Sequence, residues 1–249
     1  MYLRTLANRT IPVAVIFALL VPSTIADAAG NSTPGVNLLK AVNAAVAHEQ
    51  SVHVVSVDTG KGVTANGHTV ATVDIVTDAG STEGSQQVTY KQGNTIGHEF
   101  VEDIGGVGYF RGDSFTLHNF NGFSATAAGH YASKWLSVVK TDNAFTSVTS
   151  SLLMSTIPAQ IAMPSAPHLL AGLRTVLGVR VKSLQATATV ESVKVTVVLF
   201  VRASGAPLPV EEKITAVGES NGSATFSGWD ESIRVTTPSS SIPFSSTGQ

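Results

Sequence analysis

His48-Glu49 followed by His53 is the first place in this chain where side chains could hold a metal ion. Zinc-protease chemistry needs two histidines four residues apart on one helical face, with the glutamate beside the metal-bound water. The spacing here is five, and the segment passes from a helical to an alternating pattern. It reads as a polar helix end, and no metal is expected. Ser137-Val138-Val139-Lys140 has the serine–lysine spacing of penicillin-recognising enzymes, but neither Ser-Asp-Asn nor Lys-Thr-Gly occurs to complete that chemistry. Gly218-Glu219-Ser220-Asn221-Gly222 spells a nucleophile elbow, which works at a strand-to-helix turn with a histidine later in the chain. Here a strand follows and the last histidine is His168, so a hairpin turn is expected. No phosphate loop is present, and the seven histidines are scattered without a triad order. No catalytic residue and no cofactor is expected, which leaves a hydrolase as a distant third reading.

Arg111-Gly112-Asp113 spells an integrin-binding tripeptide, but Gly112-Asp113 is expected to close a hairpin between a strand ending at Phe110 and one around Phe115 to Leu117. Asn31-Ser32-Thr33 and Asn221-Gly222-Ser223 fit a glycosylation pattern and are read as turn residues.

The residues with the most to say are apolar. Val193, Val195, Val197, Leu199 and Val201 alternate with Lys194, Thr196, Val198, Phe200 and Arg202, giving a strand with one aliphatic face. Phe145, Val148, Leu152, Leu153, Ile157 and Ile161 form a helical stripe that Pro158 and Pro164 interrupt, so a broken or two-part helix is expected. Such a stripe either fills a core or roofs a cavity, and both readings stay open. Met163, Leu169 and Leu170 beside it would suit an adaptable lining.

The elements that must position these residues are legible from period changes. Thr33-Pro34 predicts an N-cap with proline at the first helical position, followed by a helix whose stripe is Leu38, Leu39, Val42, Ala45 and Val46. Alternation then predicts strands over 52–57, 70–77, 86–91, 95–101 and 106–111, joined too tightly for crossover helices. A small helix is expected over 125–132. Strands resume over 176–187, 193–202, 210–217, 224–229 and 233–237, and the Ser-rich tail over 239–249 is expected to be flexible. About ten strand candidates flank a helical middle, which predicts one continuous antiparallel sheet with the 145–161 segment across its concave face.

Arg4, Arg9 and the apolar run Ile11 to Val21 read as a secretory signal, too short to span a bilayer. Cleavage is expected after Ala28, with 29–35 a linker. No cysteine occurs in the 249 residues, so neither a disulfide nor an acylated cysteine is available. About 220 mature residues suffice for one large domain. The net charge of -2, without long runs, argues against nucleic acid and against polybasic docking on lipid. Hydrophobic residues at 43% against 13% charged must be buried in a core or around a ligand.

A further set of landmarks occurs in a fixed order. These are Tyr109, Gly112 and Asp113; Lys134-Trp135; Gly205-Ala206-Pro207-Leu208-Pro209; then Phe226, Ser227, Trp229, Val235 and Pro238. In this order the chain resembles the LppX/LprG-type actinobacterial lipoproteins, relatives of the LolA-like carriers, from about Val36 to Pro238. The family's lipobox cysteine is replaced by Ala26-Asp27-Ala28-Ala29, which removes the covalent anchor. The resemblance implies an α+β, LolA-like half-barrel, a curved antiparallel sheet with helices on its concave face. It implies an exported, non-enzymatic carrier of acylated lipids or glycolipids in a cell-wall or periplasm-like space, with envelope transport proteins as partners. The expected cavity lining is Trp135, Leu152, Leu153, Ile157, Ile161, Leu169, Val193, Val195, Val197, Leu199 and Val201. The competing reading is an envelope interaction module of the same fold with a filled core.

Overall fold

The computed structural model describes residues 33–60, 64–65, 68–161, 163–190 and 192–248. The expected export signal and cleavage site lie outside them. The chain starts as expected, with the Thr33 hydroxyl accepting from the Val36 N–H at 3.4 Å and Pro34 opening helix α1 (Pro34–Val46). Proline is preorganised there because its missing N–H would have no intrahelical partner anyway. Leu39, Val42 and Val46 are buried along one stripe, which is why so apolar a helix docks on a sheet.

The first strands are β1 (Ser51–Gly60), β2 (Thr64–Ala65), β3 (His68–Thr69), β4 (Thr72–Gly80), β5 (Glu83–Gln92), β6 (Thr95–Ile104) and β7 (Val107–Gly112). Helices α2 (Ser114–Asn119) and α3 (Ala125–Tyr131) lead to β8 (Leu136–Val139). Then come α4 (Phe145–Thr149), a 3-10 turn (Met154–Thr156) and α5 (Ile157–Gln160). The second block is β9 (His168–Leu169), β10 (Arg174–Val176), β11 (Val179–Val190), β12 (Val193–Arg202), β13 (Pro209–Ala216) and β14 (Ser220–Ser227), followed by β15 (Ile242–Pro243).

Thirteen strands form one curved, unclosed sheet in the order β10-β11-β12-β13-β14-β1-β4-β5-β6-β7-β8-β15, with β9 on β11. Both alternating blocks therefore belong to one sheet, joined because β1 pairs with β14 on one side and β4 on the other. The pairing is antiparallel except between β15 and β8, which makes the sheet mixed.

Several expectations are corrected. Gly112-Asp113 closes no hairpin: Asp113 caps α2, its Oδ1 accepting from the Thr116 N–H and its Oδ2 from the His98 N–H, both at 2.7 Å. An aspartate before a short apolar run signals a turn or an N-cap equally well, and β8 already occupies the edge of β7 that a new strand would need. Residues 233–237 alternate but form no strand, because β14 is paired on both sides, with β13 and β1. Part of the tail rests on the sheet: the Ile242 N–H donates to the Trp135 carbonyl at 2.9 Å, and the Phe244 ring lies 5.9 Å from Phe110 and 6.1 Å from Phe123. The stripe from Phe145 to Ile161 is broken, as the prolines require, but into three short pieces.

Candidate functional site

The covered face of the sheet is built by strand register, since directly opposed residues share a face. On β12 Val195, Val197, Leu199 and Val201 are buried on one face, and the alternation breaks only at Phe200, which is buried on the other face in a separate cluster with Val181 and Val210. Val197 lies opposite Ala186 on β11 and Ile214 on β13, and Leu199 opposite Leu184 and Glu212. Leu39, Val42 and Val46 of α1, with Met154, Ile157, Ile161 and Met163, close over this aliphatic face to form one cluster.

The expected lining therefore comes together only in part. Ile157, Ile161, Val195, Val197, Leu199 and Val201 meet, with Val193 packed half-buried at the margin. Leu152 belongs instead to a second cluster with Val101, Phe110, Leu136 and Val148, because the chain crosses the sheet before it reaches Ile157. Leu153 is half-buried and bridges to Gly80. Trp135 sits at the far end of the sheet, where the Arg111 guanidinium lies 4.8 Å from its ring centre and 4.5 Å from that of Phe100. Leu169 pairs with Leu184 near the opposite edge and is 41% exposed.

The segment from Leu152 to Pro167 is a strap held at both ends. At one end the Gly80 N–H donates to the Leu152 carbonyl at 3.3 Å, and Gln86 Nε2 reaches Ser151 Oγ at 3.2 Å. At the other, the Pro167 carbonyl occupies the space where Gly35 of α1 would carry a Cβ. Between these anchors the strap has only the single-turn α5 and its 3-10 lead-in, with prolines at 158 and 164. Ile157, Ile161, Val197, Leu199 and Val201 have no accessible surface, so strap and sheet are in full contact.

One charged residue shares this aliphatic face. Glu212 is fully buried, and neither carboxyl oxygen has a hydrogen-bond partner. Leaving such a group unpaired costs about 1–3 kcal/mol. By register Glu212 lies opposite Ala224 and then Ser56, while Ile214 lies opposite Gly222 and then Asp58. Asp58, 8% exposed, thus stands diagonally across β14 from Glu212, two residues along from Ser56, and the inward residues of β14 between them are Gly222 and Ala224. Burial pushes the Asp58 carboxyl up to about 6. Burial, and then the charge of Asp58, push Glu212 well above the usual carboxylate range. Glu99 is the contrast: as deeply buried, it accepts from Tyr90 Oη at 3.0 Å and Asn121 Nδ2 at 2.7 Å. Sequence reasoning passed over Glu212 and Asp58. The available signal was phase, since Glu212 alternates with Ile214 and Ala216, and Asp58 with Val52 and Val54.

The catalytic patterns dissolve into structure. Ser220 opens β14 beside Gly60, not at a strand-to-helix elbow, and Ser137 lies within β8 opposite Tyr109. His53 Nδ1 is 2.7 Å from Asp78 Oδ1 on the neighbouring strand. Among the described residues no group of three metal-ligating side chains occurs, and no helix is long and apolar enough to cross a membrane.

No family model matches the chain, and no curated protein matches it. Its structure is similar to LprF from Mycobacterium bovis, with a TM-score of 0.50 and 16% identity over 84% of this chain and 99% of that one. It is also similar to the lipoprotein LppX from Mycobacterium tuberculosis, with a TM-score of 0.49 and 16% identity over 80% and 98%. The LprF likeness shows the fold: a curved, open sheet with helices on one face, of the LppX/LprG type that the sequence landmarks resembled.

Proposed function

We propose that this chain is an exported, non-enzymatic carrier that takes the acyl chains of lipids or glycolipids between its sheet and its strap, and hands them on within the cell envelope. The observation that carries this reading is the aliphatic face Val195 to Val201, closed by a strap that is anchored at both ends and broken by prolines in between. An acyl chain of about 16 carbons gains on the order of 12 kcal/mol on burial, before ordering costs. Lifting Ile157 and Ile161 off the sheet costs roughly 1.5–3 kcal/mol each, less in sum than the acyl chain gains. The exchange is favourable without any charged contact. Arg4, Arg9 and the apolar run from Ile11 to Val21 support export with cleavage after Ala28, and the absence of cysteine leaves the mature chain without a covalent lipid.

The complete closure of the interior favours a second reading, an envelope interaction module with a filled core. Mass spectrometry of lipids extracted from the exported protein, purified without detergent, separates the two. The carrier reading expects acyl lipid close to one per chain, and less in Val197→Trp, whose indole takes the space the lipid needs. An exported chain that holds no lipid, even after incubation with vesicles of the producing cell's own lipids, overturns the carrier reading in favour of the module.

A further inference from the structure

We propose that the Glu212 carboxyl, facing Asp58 across β14, is a polar contact for the ester linkage of a bound acyl lipid, set within the aliphatic face. The proposal rests on the acyl-binding reading and adds to it a site and a chemical preference.

The geometry begins with β14. Adjacent strands stand about 4.8 Å apart, so β13 and β1 are roughly 10 Å apart with β14 between them. The two inward residues of β14 at this level are Gly222 and Ala224, which bring almost no bulk. Glu212 rises from one side of this shallow stretch and Asp58 from the other, near enough for the charge of Asp58 to act on Glu212. In register around them stand the aliphatic Leu199, Ile214 and Val73, with Ser56 directly beyond Ala224 from Glu212.

A structural acid in such a place finds partners within the fold, as Glu99 does with Tyr90 and Asn121. Glu212 does not: both oxygens are enclosed and unpartnered. Leu199, Ile214 and Ala224 offer no side-chain hydrogen-bonding group, and neither the Ser56 hydroxyl nor the Asp58 carboxyl beyond β14 bonds to Glu212, which leaves both its oxygens open to a partner that arrives with a ligand. A fully buried carboxyl without a partner favours its protonated form, which has one O–H to donate and one carbonyl oxygen to accept. An ester carbonyl accepts that O–H. A hydroxyl beside the ester, as in a partly acylated glycerol or sugar, donates to the carbonyl. A pure hydrocarbon meets neither need, which makes the site selective for acyl esters over alkanes of equal length.

The test compares methyl palmitate with nonadecane, probes with equal numbers of heavy atoms, delivered from one cyclodextrin carrier to the parent, Glu212→Leu and Glu212→Gln. The readout is the ester-to-hydrocarbon affinity ratio, in which the carrier's contribution cancels between variants. Glu212→Leu is expected to lower the ratio about tenfold, the size of one net hydrogen bond. Hydrocarbon binding is retained there and thermal stability rises, because an unpaired polar group is gone. Glu212→Gln, which still donates and accepts, keeps the ratio within about threefold. Asp58→Ala is a second arm that leaves Glu212 in place, and the ratio falls there by less. A Glu212→Leu protein that binds both probes with the parent's ratio overturns the ester contact and leaves the carrier reading standing. A folded parent that binds neither probe overturns the carrier reading itself, and the contact with it.

Discussion

Gly84 and Leu152 share one place: a Cβ built on Gly84 of β5 would collide with the Leu152 carbonyl oxygen. That oxygen also accepts from the Gly80 N–H, so the strap's backbone is seated on two neighbouring strands. Gly84→Ala is expected to force the strap off its seat, costing roughly 1–3 kcal/mol in urea unfolding. Lipid exchange should become faster, because the anchor and not the lining has changed. Gly129 of α3 is the control: it has open space around its Cβ position and a helical setting, so Gly129→Ala should stabilise by about 0.5–1 kcal/mol.

A second prediction concerns the chain end. Ile242 and Pro243 add a parallel strand to β8, and Phe244 stands against Phe110 and Phe123. Phe244→Ala should cost about 2 kcal/mol, less than a fully buried ring, since Phe244 is half-buried. Removing 239–249 should lower the melting temperature by at least as much as that substitution. An unchanged melting temperature would mean that the end contributes nothing to the sheet.

What was legible in the sequence follows from how many neighbours a residue's pattern must satisfy. The strand Val193–Arg202 was read to its ends because both of its flanks are paired and one face is wholly buried, which forces strict alternation. Residues 233–237 alternate just as well, yet pairing is a property of the neighbour and β14 had no free edge. Asp113 was misread because the same side chain serves a turn and a helix cap, and only the path of β8 decides between them. The lining was half legible for a related reason. Periodicity assigns Leu152 and Ile161 to one stripe, but a proline-broken stripe does not stay on one face, and the two residues end in different clusters. Glu212 lay outside the reading because a lone carboxylate in a short strand looks like a solvated one until register shows which way it points.

Stability should depend on pH through the buried acids. Asp58 titrates in the folded chain at about 6, against an ordinary value of 3.8. The folded state therefore binds the proton more tightly than the unfolded state, and stability falls as pH rises from about 4 to about 6, by roughly 3 kcal/mol in all. Glu212, raised by burial, acts in the same direction. Asp58→Asn should flatten the profile between pH 4 and 6, and Glu212→Gln should reduce the overall fall. Chemical denaturation at half-unit pH intervals reads both. A profile of the parent that rises over pH 4 to 6 would show that these carboxyls are solvated or paired.

The last prediction separates a core from a closed cavity at a single side chain. Ile161 has no accessible surface and lies in the cluster with Val197 and Leu199, so truncating it removes contacts whichever reading holds. Ile161→Ala should cost about 2–5 kcal/mol in the lipid-free chain, depending on how far the strap collapses into the gap. The readings part when lipid is present. If the strap lifts to admit an acyl chain, the bound state has already taken Ile161 off the sheet, and the truncation penalises the empty form more than the loaded one. Acyl binding should then tighten, by up to tenfold for each 1.4 kcal/mol by which the empty form is the more destabilised. In a filled core no loaded form exists, and the variant is merely less stable. Measuring thermal stability and methyl palmitate affinity on the same preparations decides it: destabilisation with tighter binding is the carrier's signature, and destabilisation with no binding in parent or variant is the module's.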